Sequence, residues 1–263
     1  MLSGHGIFRD HFIFMTKIKR AFFRFYEELN DFLPQNRRKK RFEHSFSDRA
    51  SVKDMIESLG VPHTEVDLIL VNGVSVNFSY IVKDEDDISV YPMFESFDIS
   101  NLQHLRAKPL RKPKFILDVH LGTLAKYMRM LGLDTLYQNN YNDEEIVNIS
   151  LRDRRTIITH DRGILKRSAV THGYWIRANK TENQLIEVIN RFDLKKHIRE
   201  LSRCLLCNSR LIKISKEKVL ERLPKKVREH QNEFYLCKHC NKVYWKGSHY
   251  NKMRGIIDKL TLL

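Results

Sequence analysis

The sequence predicts an α/β protein in three parts: a small mixed sheet with a helix, a parallel sheet with its helices, and a ribbon held by cysteines. Three observations predict it. Asn72-Gly73 separates the apolar runs Val66 to Val71 and Val74 to Phe78, the two-residue signal of a hairpin. From residue 114 onward, short apolar runs alternate with segments of helical period, the pattern of a parallel sheet. Cys204-x-x-Cys207 and Cys237-x-x-Cys240 contain all four cysteines of the chain.

After an N-terminal extension (residues 1–17), residues 18–97 form the first part. Ala21-Phe22-Phe23-Arg24-Phe25 predicts a strand, and Ser51 caps a helix running to Gly60, with Pro62 beyond. Val66 to Val71 is a second strand, which the Asn72-Gly73 turn sends back into Val74-Ser75-Val76-Asn77-Phe78. Ile88-Ser89-Val90-Tyr91, ending at Pro92, is the last. This order resembles a ubiquitin-like β-grasp domain of the sulfur-carrier type, with Val71-Asn72-Gly73 and Val90-Tyr91-Pro92 as landmarks. Sulfur carriers end in a free Gly-Gly tail, whereas here Phe94-Glu95-Ser96-Phe97 follows and the chain continues. The part therefore reads as a binding or scaffolding module. Residues 98–113 carry Pro109, Pro113 and four cations without a period, and read as a linker.

The second part spans residues 114–200. Phe115-Ile116-Leu117 predicts a strand, and Leu121, Leu124, Ala125, Met128 and Leu131 follow at helical spacing up to Gly132. Thr135-Leu136-Tyr137 precedes a helix from Asp143 to about Arg152. Thr156-Ile157-Ile158-Thr159 precedes a short helix from Arg162. Tyr174-Trp175-Ile176 supplies a fourth strand, and Thr181 is expected to cap the last helix.

In open parallel sheets, chemistry collects beyond the carboxyl ends of the strands. Asp118, Asp161 and the run Asp143-Glu144-Glu145 stand at such ends. Acids brought together repel one another, and a divalent cation relieves the repulsion. Carboxylates without neighbouring cysteines favour magnesium or manganese, which could activate water against a phosphodiester. The same acids also have structural uses, Asp118 as a helix cap and the 143–145 run as partners of a helix dipole.

Three runs are similar to the PIN-like Mut-seven C-terminal ribonuclease family (Mut7-C): Phe115-Ile116-Leu117-Asp118-Val119-His120-Leu121-Gly122, residues 124–135, and Ile158-Thr159-His160-Asp161-Arg162. Arg203-Cys204-Leu205-Leu206-Cys207 and Tyr244-Trp245-Lys246-Gly247-Ser248-His249-Tyr250 add to the resemblance. It covers residues 114–254 and implies a PIN-like nuclease fold, RNA as substrate and an acidic metal site onto which Asp118, Asp143 and Asp161 map, Glu144 less directly. Fuller PIN nucleases often carry a fourth acid after a later strand. Here that stretch offers Arg177 and Asn179 instead. Arg162 could hold a phosphate beside Asp161 or pair with a neighbouring acid.

In the third part, residues 201–263, the two Cys-x-x-Cys knuckles give four thiolates for one tetrahedral structural zinc. An iron–sulfur cluster is the chemical alternative. His239 reads as a solvent-facing turn residue, and a helix is expected from Lys216 to about Leu223. After the second knuckle, Trp245, Lys246 and His249 combine aromatic and cationic groups suited to RNA, Lys246 and His249 as weak contacts and Trp245 suited somewhat more to the ribbon's own core.

The formal charge is +15, and from residue 195 to 263 there are 18 Lys or Arg against 6 Asp or Glu, so most of the excess lies on the last part. That is a surface for phosphates. No stretch approaches a membrane span and residues 1–17 lack a signal-peptide core, so a cytoplasmic protein is expected. The predicted function is a metal-dependent, endonucleolytic ribonuclease acting on single-stranded or structured RNA, its acids binding magnesium or manganese and its basic zinc ribbon holding the RNA. The alternative is a non-catalytic RNA-binding adaptor whose ubiquitin-like domain recruits a protein partner.

Overall fold

A computed structural model describes residues 18–92, 113–248, 250–251 and 254–255. The expected N-terminal extension and nearly all of the expected linker lie outside the described residues, as does His249.

The first part folds around the alternation of its strands. In β1 (Lys19–Phe25) Ala21, Phe23 and Phe25 point inward. β2 (Phe42–Phe46) pairs antiparallel with β1. Ser51 caps α1 (Val52–Ser58) in a capping box with Asp54, and Gly60 ends the turn at φ +102°. β3 (Val66–Val71) turns through Asn72 and Gly73, at φ +51° and +81°, into β4 (Val74–Ser75). That strand is shorter than the expected run to Phe78, because the Asn77 side chain and carbonyl accept from the Ser79 and Tyr80 amides and fold the chain into a turn. β5 (Asp87–Pro92) lies centrally, parallel to β1 and antiparallel to β3, in the order β2-β1-β5-β3-β4. Val52, Met55 and Ile56 of α1 bury against Phe23, Ile69, Ile88 and Val90, the core of a β-grasp.

The second sheet is parallel throughout. β6 (Lys114–Leu117), α2 (Gly122–Met130), β7 (Asp134–Leu136), α3 (Asp143–Asp153), β8 (Thr156–Thr159), α4 (Arg162–Leu165), β9 (Gly173–Trp175) and α5 (Thr181–Arg191) follow in turn, with strand order β7-β6-β8-β9. Alternation splits the core in two. Phe115, Leu117 and Ile158 face α2 and α5, while Ile116 and Ile157 face α3 and α4. The last helix departs from expectation at its start: Thr181 is its first residue, and Lys180 occupies the cap without a side-chain bond.

The third part is an antiparallel ribbon of β10 (Leu211–Ile214), β11 (Phe234–Cys237) and β12 (Val243–Trp245), with α6 (Lys225–His230) inserted before β11. The expected helix after Lys216 is a 3-10 helix, Lys216–Arg222, that buries only Val219. Each cysteine knuckle is followed by an asparagine in the left-handed region, Asn208 at φ +65° and Asn241 at φ +58°. Among the described residues, no helix is long and apolar enough to cross a membrane.

Candidate functional site

The strand order reverses between β6 and β8, so the loops leaving these two strands open a crevice at the carboxyl edge of the sheet. Asp118 leaves β6 and Asp161 leaves β8, one on each side of it. Asp118 is 7% exposed and is held at both oxygens: Oδ1 accepts the His120 amide at 2.7 Å, and Oδ2 accepts the Thr159 hydroxyl at 2.6 Å and the His160 amide at 3.3 Å. Thr159 Oγ1 in turn accepts the Asp161 amide at 2.8 Å, linking the two acids through one side chain. Both acids are also caps, Asp118 of the 3-10 turn Val119–Leu121 and Asp161 of α4 through the Gly163 amide at 2.7 Å.

Asp143 and Glu144 stand exposed in the first turn of α3, at the same edge. Asp143 Oδ2 lies 3.3 Å from Arg167 Nη2. Asp118, Asp143 and Asp161 do not converge: among the described residues, the cysteines are the only group of three or more such ligands within 4.8 Å of one another. The pair Asp118 and Asp161 presents oxygen donors of the kind a hard cation takes. Asp143 stands apart from it.

Next to Asp161, the Arg162 guanidinium carbon lies over the Trp175 ring, 3.8 Å from its centroid, and 5.1 Å from that of Phe32. Among the described residues the rings are its near neighbours, and Asp31 adds a longer-range attraction.

Phe32 belongs to the ubiquitin-like domain, which docks against β9. Its ring packs on Trp175 at 4.9 Å, and Glu65, 1% exposed, accepts the Trp175 amide at 2.5 Å. Arg177 donates to Asp31 at 2.8 Å and to the Glu28 carbonyl, Arg191 reaches Glu28 at 2.6 Å, and both arginines come within 4.0 Å of Glu65. His63 Nε2 lies 2.6 Å from the Val170 carbonyl. The position where a fourth acid was sought is thus occupied by an arginine committed to the domain interface. Burial raises the Glu65 carboxyl above its ordinary value, with Arg191 and Arg177 opposing.

Sγ atoms of Cys204, Cys207, Cys237 and Cys240 lie within 4.8 Å of one another, with Cys204 and Cys237 fully buried. Four convergent thiols of this kind fit a closed tetrahedral zinc site. His239 is exposed in the second knuckle. Arg129, 3% exposed on α2, binds the first knuckle to the sheet: Nη1 donates to the carbonyls of Leu205 and Leu206, Nε to that of Thr135 and Nη2 to that of Tyr137. Asn208 and Arg203 close the same junction onto Asp134, which also takes Arg155 at 2.7 Å. The ribbon is thereby built onto the edge strand β7.

Of the RNA-contact candidates, Lys246 is half-exposed and paired with Glu233 at 3.1 Å. Together with Lys213 it holds that carboxyl down at about 2. Trp245 packs on Phe234 in the ribbon core. Thr159 and Arg129 were missed. The signal for Arg129 was an arginine next to Met128 on the apolar face of a helix; for Thr159 it was a hydroxyl closing an apolar strand two residues before an acid.

The family model described as Mut7-C RNAse domain matches residues 113–257, and that described as Mut7-C ubiquitin matches residues 18–98. No curated protein and no solved structure matches the chain.

Proposed function

The chain belongs to the family of the Mut7-C RNAse domain, and from that membership we propose that it is a metal-dependent endoribonuclease with its catalytic centre at the carboxyl edge of the parallel sheet. The observation that carries the proposal is the pair Asp118 and Asp161, flanking the switch point and joined through Thr159. Asp118 and Asp161 would hold magnesium or manganese, with Asp143, and less directly Glu144, as the further candidate ligands at the same edge of the sheet. The cation would lower the pKa of a bound water and neutralise charge on the phosphate.

In the reaction the water oxygen bonds to phosphorus and the bond from phosphorus to the leaving ribose oxygen breaks; the attacking water gives up one proton to solvent, and the leaving oxygen takes one proton from solvent. Thr159 and the backbone amides of His120 and His160 keep Asp118 oriented, so its carboxylate need not reorganise during the step. Arg162, held over Trp175 beside Asp161, grips a neighbouring phosphate. The basic segment after residue 195 attracts the RNA, with Trp245, Lys246 and His249 as contacts and a zinc held by the four cysteines keeping the ribbon folded. In this reading the protein is cytoplasmic.

Cleavage of RNA by zinc-loaded protein, dependent on added magnesium or manganese and lost in Asp118→Asn and Asp161→Asn, tests the proposal. The dispersed acids favour one rival, an RNA-binding adaptor that recruits a protein partner through its ubiquitin-like domain. Binding without cleavage would select it.

A further inference from the structure

Where the ribbon meets the nuclease half, the chain leaves an open cavity of about 250 Å³. Its floor is apolar, made by Met130 at the end of α2, Leu201, and Leu205 inside the first knuckle. The rings of Tyr244, Trp245 and Tyr250 form its walls. Both tyrosine hydroxyls already have partners, Tyr244 with Cys204 Sγ at 3.1 Å and Tyr250 with Glu200, so the rings rather than the hydroxyls are what the cavity offers. Trp245 has two roles, packing on Phe234 within the ribbon and lining the cavity. Gly247 keeps the indole edge uncovered, since a Cβ there would stand 2.7 Å from Trp245 Nε1. Ser248 adds a hydroxyl to the lining.

We propose that this cavity binds one unpaired base of the RNA. It is smaller than the pockets of about 300–1,000 Å³ that take drug-sized ligands, and its aromatic walls match a flat ring system. Its setting is cationic: Lys246, paired with Glu233, and Arg254, paired with Glu200, flank it, each about half-exposed, within a segment of 18 Lys or Arg against 6 Asp or Glu. Aromatic faces take the base while the surrounding charges take its phosphates. A lipid tail or an uncharged apolar peptide would leave that charge unmatched. From Gly122, near Asp118, to Met130, α2 rises about 12 Å at ~1.5 Å per residue, so the anchored nucleotide sits along the strand from the cleaved bond. The cavity would thus set where the acids meet the RNA.

This inference rests on RNA being the partner, and its test is kept apart from cleavage. A short labelled oligoribonucleotide and the same oligomer with abasic sites are titrated into the full chain, zinc-loaded and without magnesium or manganese, with tryptophan emission read in parallel. Intact RNA should quench tryptophan emission more in the wild type than in Trp245→Ala, which keeps Trp175, and bind at least about tenfold more tightly than abasic RNA, the order of one base–aromatic stack. Trp245→Ala, with zinc content unchanged, should abolish that preference; if it loses zinc, Gly247→Val serves by crowding the indole. Equal binding of intact and abasic RNA would overturn the proposal, as would a preference that survives both variants. A preference appearing only when the chain is cut after Gly255 would assign the cavity to residues 256–263 and likewise overturn it. Should base-dependent binding hold while no RNA is cleaved, the nuclease reading fails and the cavity stands.

Discussion

The Thr159 hydroxyl donates to Asp118 Oδ2 across 2.6 Å, while its oxygen accepts the Asp161 amide at 2.8 Å, so one fully buried side chain sets both acids of the crevice. Thr159→Val keeps the β-branched shape and removes both bonds. Leaving a buried acceptor short of a donor should cost about 1–3 kcal/mol of stability. RNA cleavage should fall at least tenfold while RNA binding without divalent cation is unchanged. Cleavage at the wild-type rate in a folded variant would remove Thr159 from the catalytic centre.

Arg129 makes the zinc ribbon and β7 one structural unit, since its guanidinium donates to carbonyls on both. Arg129→Met keeps the bulk and strands four carbonyls, with an expected loss of at least about 2 kcal/mol in denaturant unfolding. Metal analysis should find one zinc per chain. Its removal by a chelator should speed hydrogen exchange at the Thr135 amide, which donates to Asn208 Oδ1 at 3.0 Å, and not only within the ribbon. Exchange changes confined to residues beyond 203 would mean that the two units fold independently.

Arg162 rests mainly on the Phe32 and Trp175 rings, with Asp31 as a longer-range partner, so its removal should cost far less stability than binding. Arg162→Ala is expected to weaken RNA binding severalfold and to reduce the slope of log K against log salt by about one. An unchanged slope would show that this guanidinium meets no phosphate.

The Glu65 carboxyl predicts a pH dependence of the domain interface. Burial raises its folded value above the ordinary 4.5, so its contribution to stability is full below that value and is lost as pH rises through the folded value. The melting temperature of the wild type relative to Glu65→Gln should therefore fall as pH rises from about 4.5. A difference that grows with pH would mean that Arg177 and Arg191 hold Glu65 ionised throughout.

Local chemistry was legible in the sequence where it is carried by neighbouring residues. The Ser51 cap with Asp54, the Asn72-Gly73 turn, the alternation of β1 and the paired Cys-x-x-Cys knuckles each need only a few consecutive positions. β2 escaped notice because its two phenylalanines are only half-buried on an edge strand. The domain interface was hidden for another reason: Glu65, Arg177 and Arg191 are charged residues that composition assigns to solvent, and they are buried only once distant segments meet. For the acids, topology was legible and convergence was not. Strand order brings Asp118 and Asp161 to one crevice, whereas the Asp143 side chain turns to Arg167, a partner that no spacing rule would supply.

The most direct test is an RNA cleavage time course with purified, zinc-loaded protein, without divalent cation and then with magnesium or manganese, beside Asp118→Asn and Asp161→Asn variants of verified fold. The expected result is internal cleavage that requires the added cation and falls by at least about 100-fold in both variants, the order for an essential electrostatic group. RNA bound and left intact under every condition, or cut equally by both variants, would contradict a nuclease centre at Asp118 and Asp161.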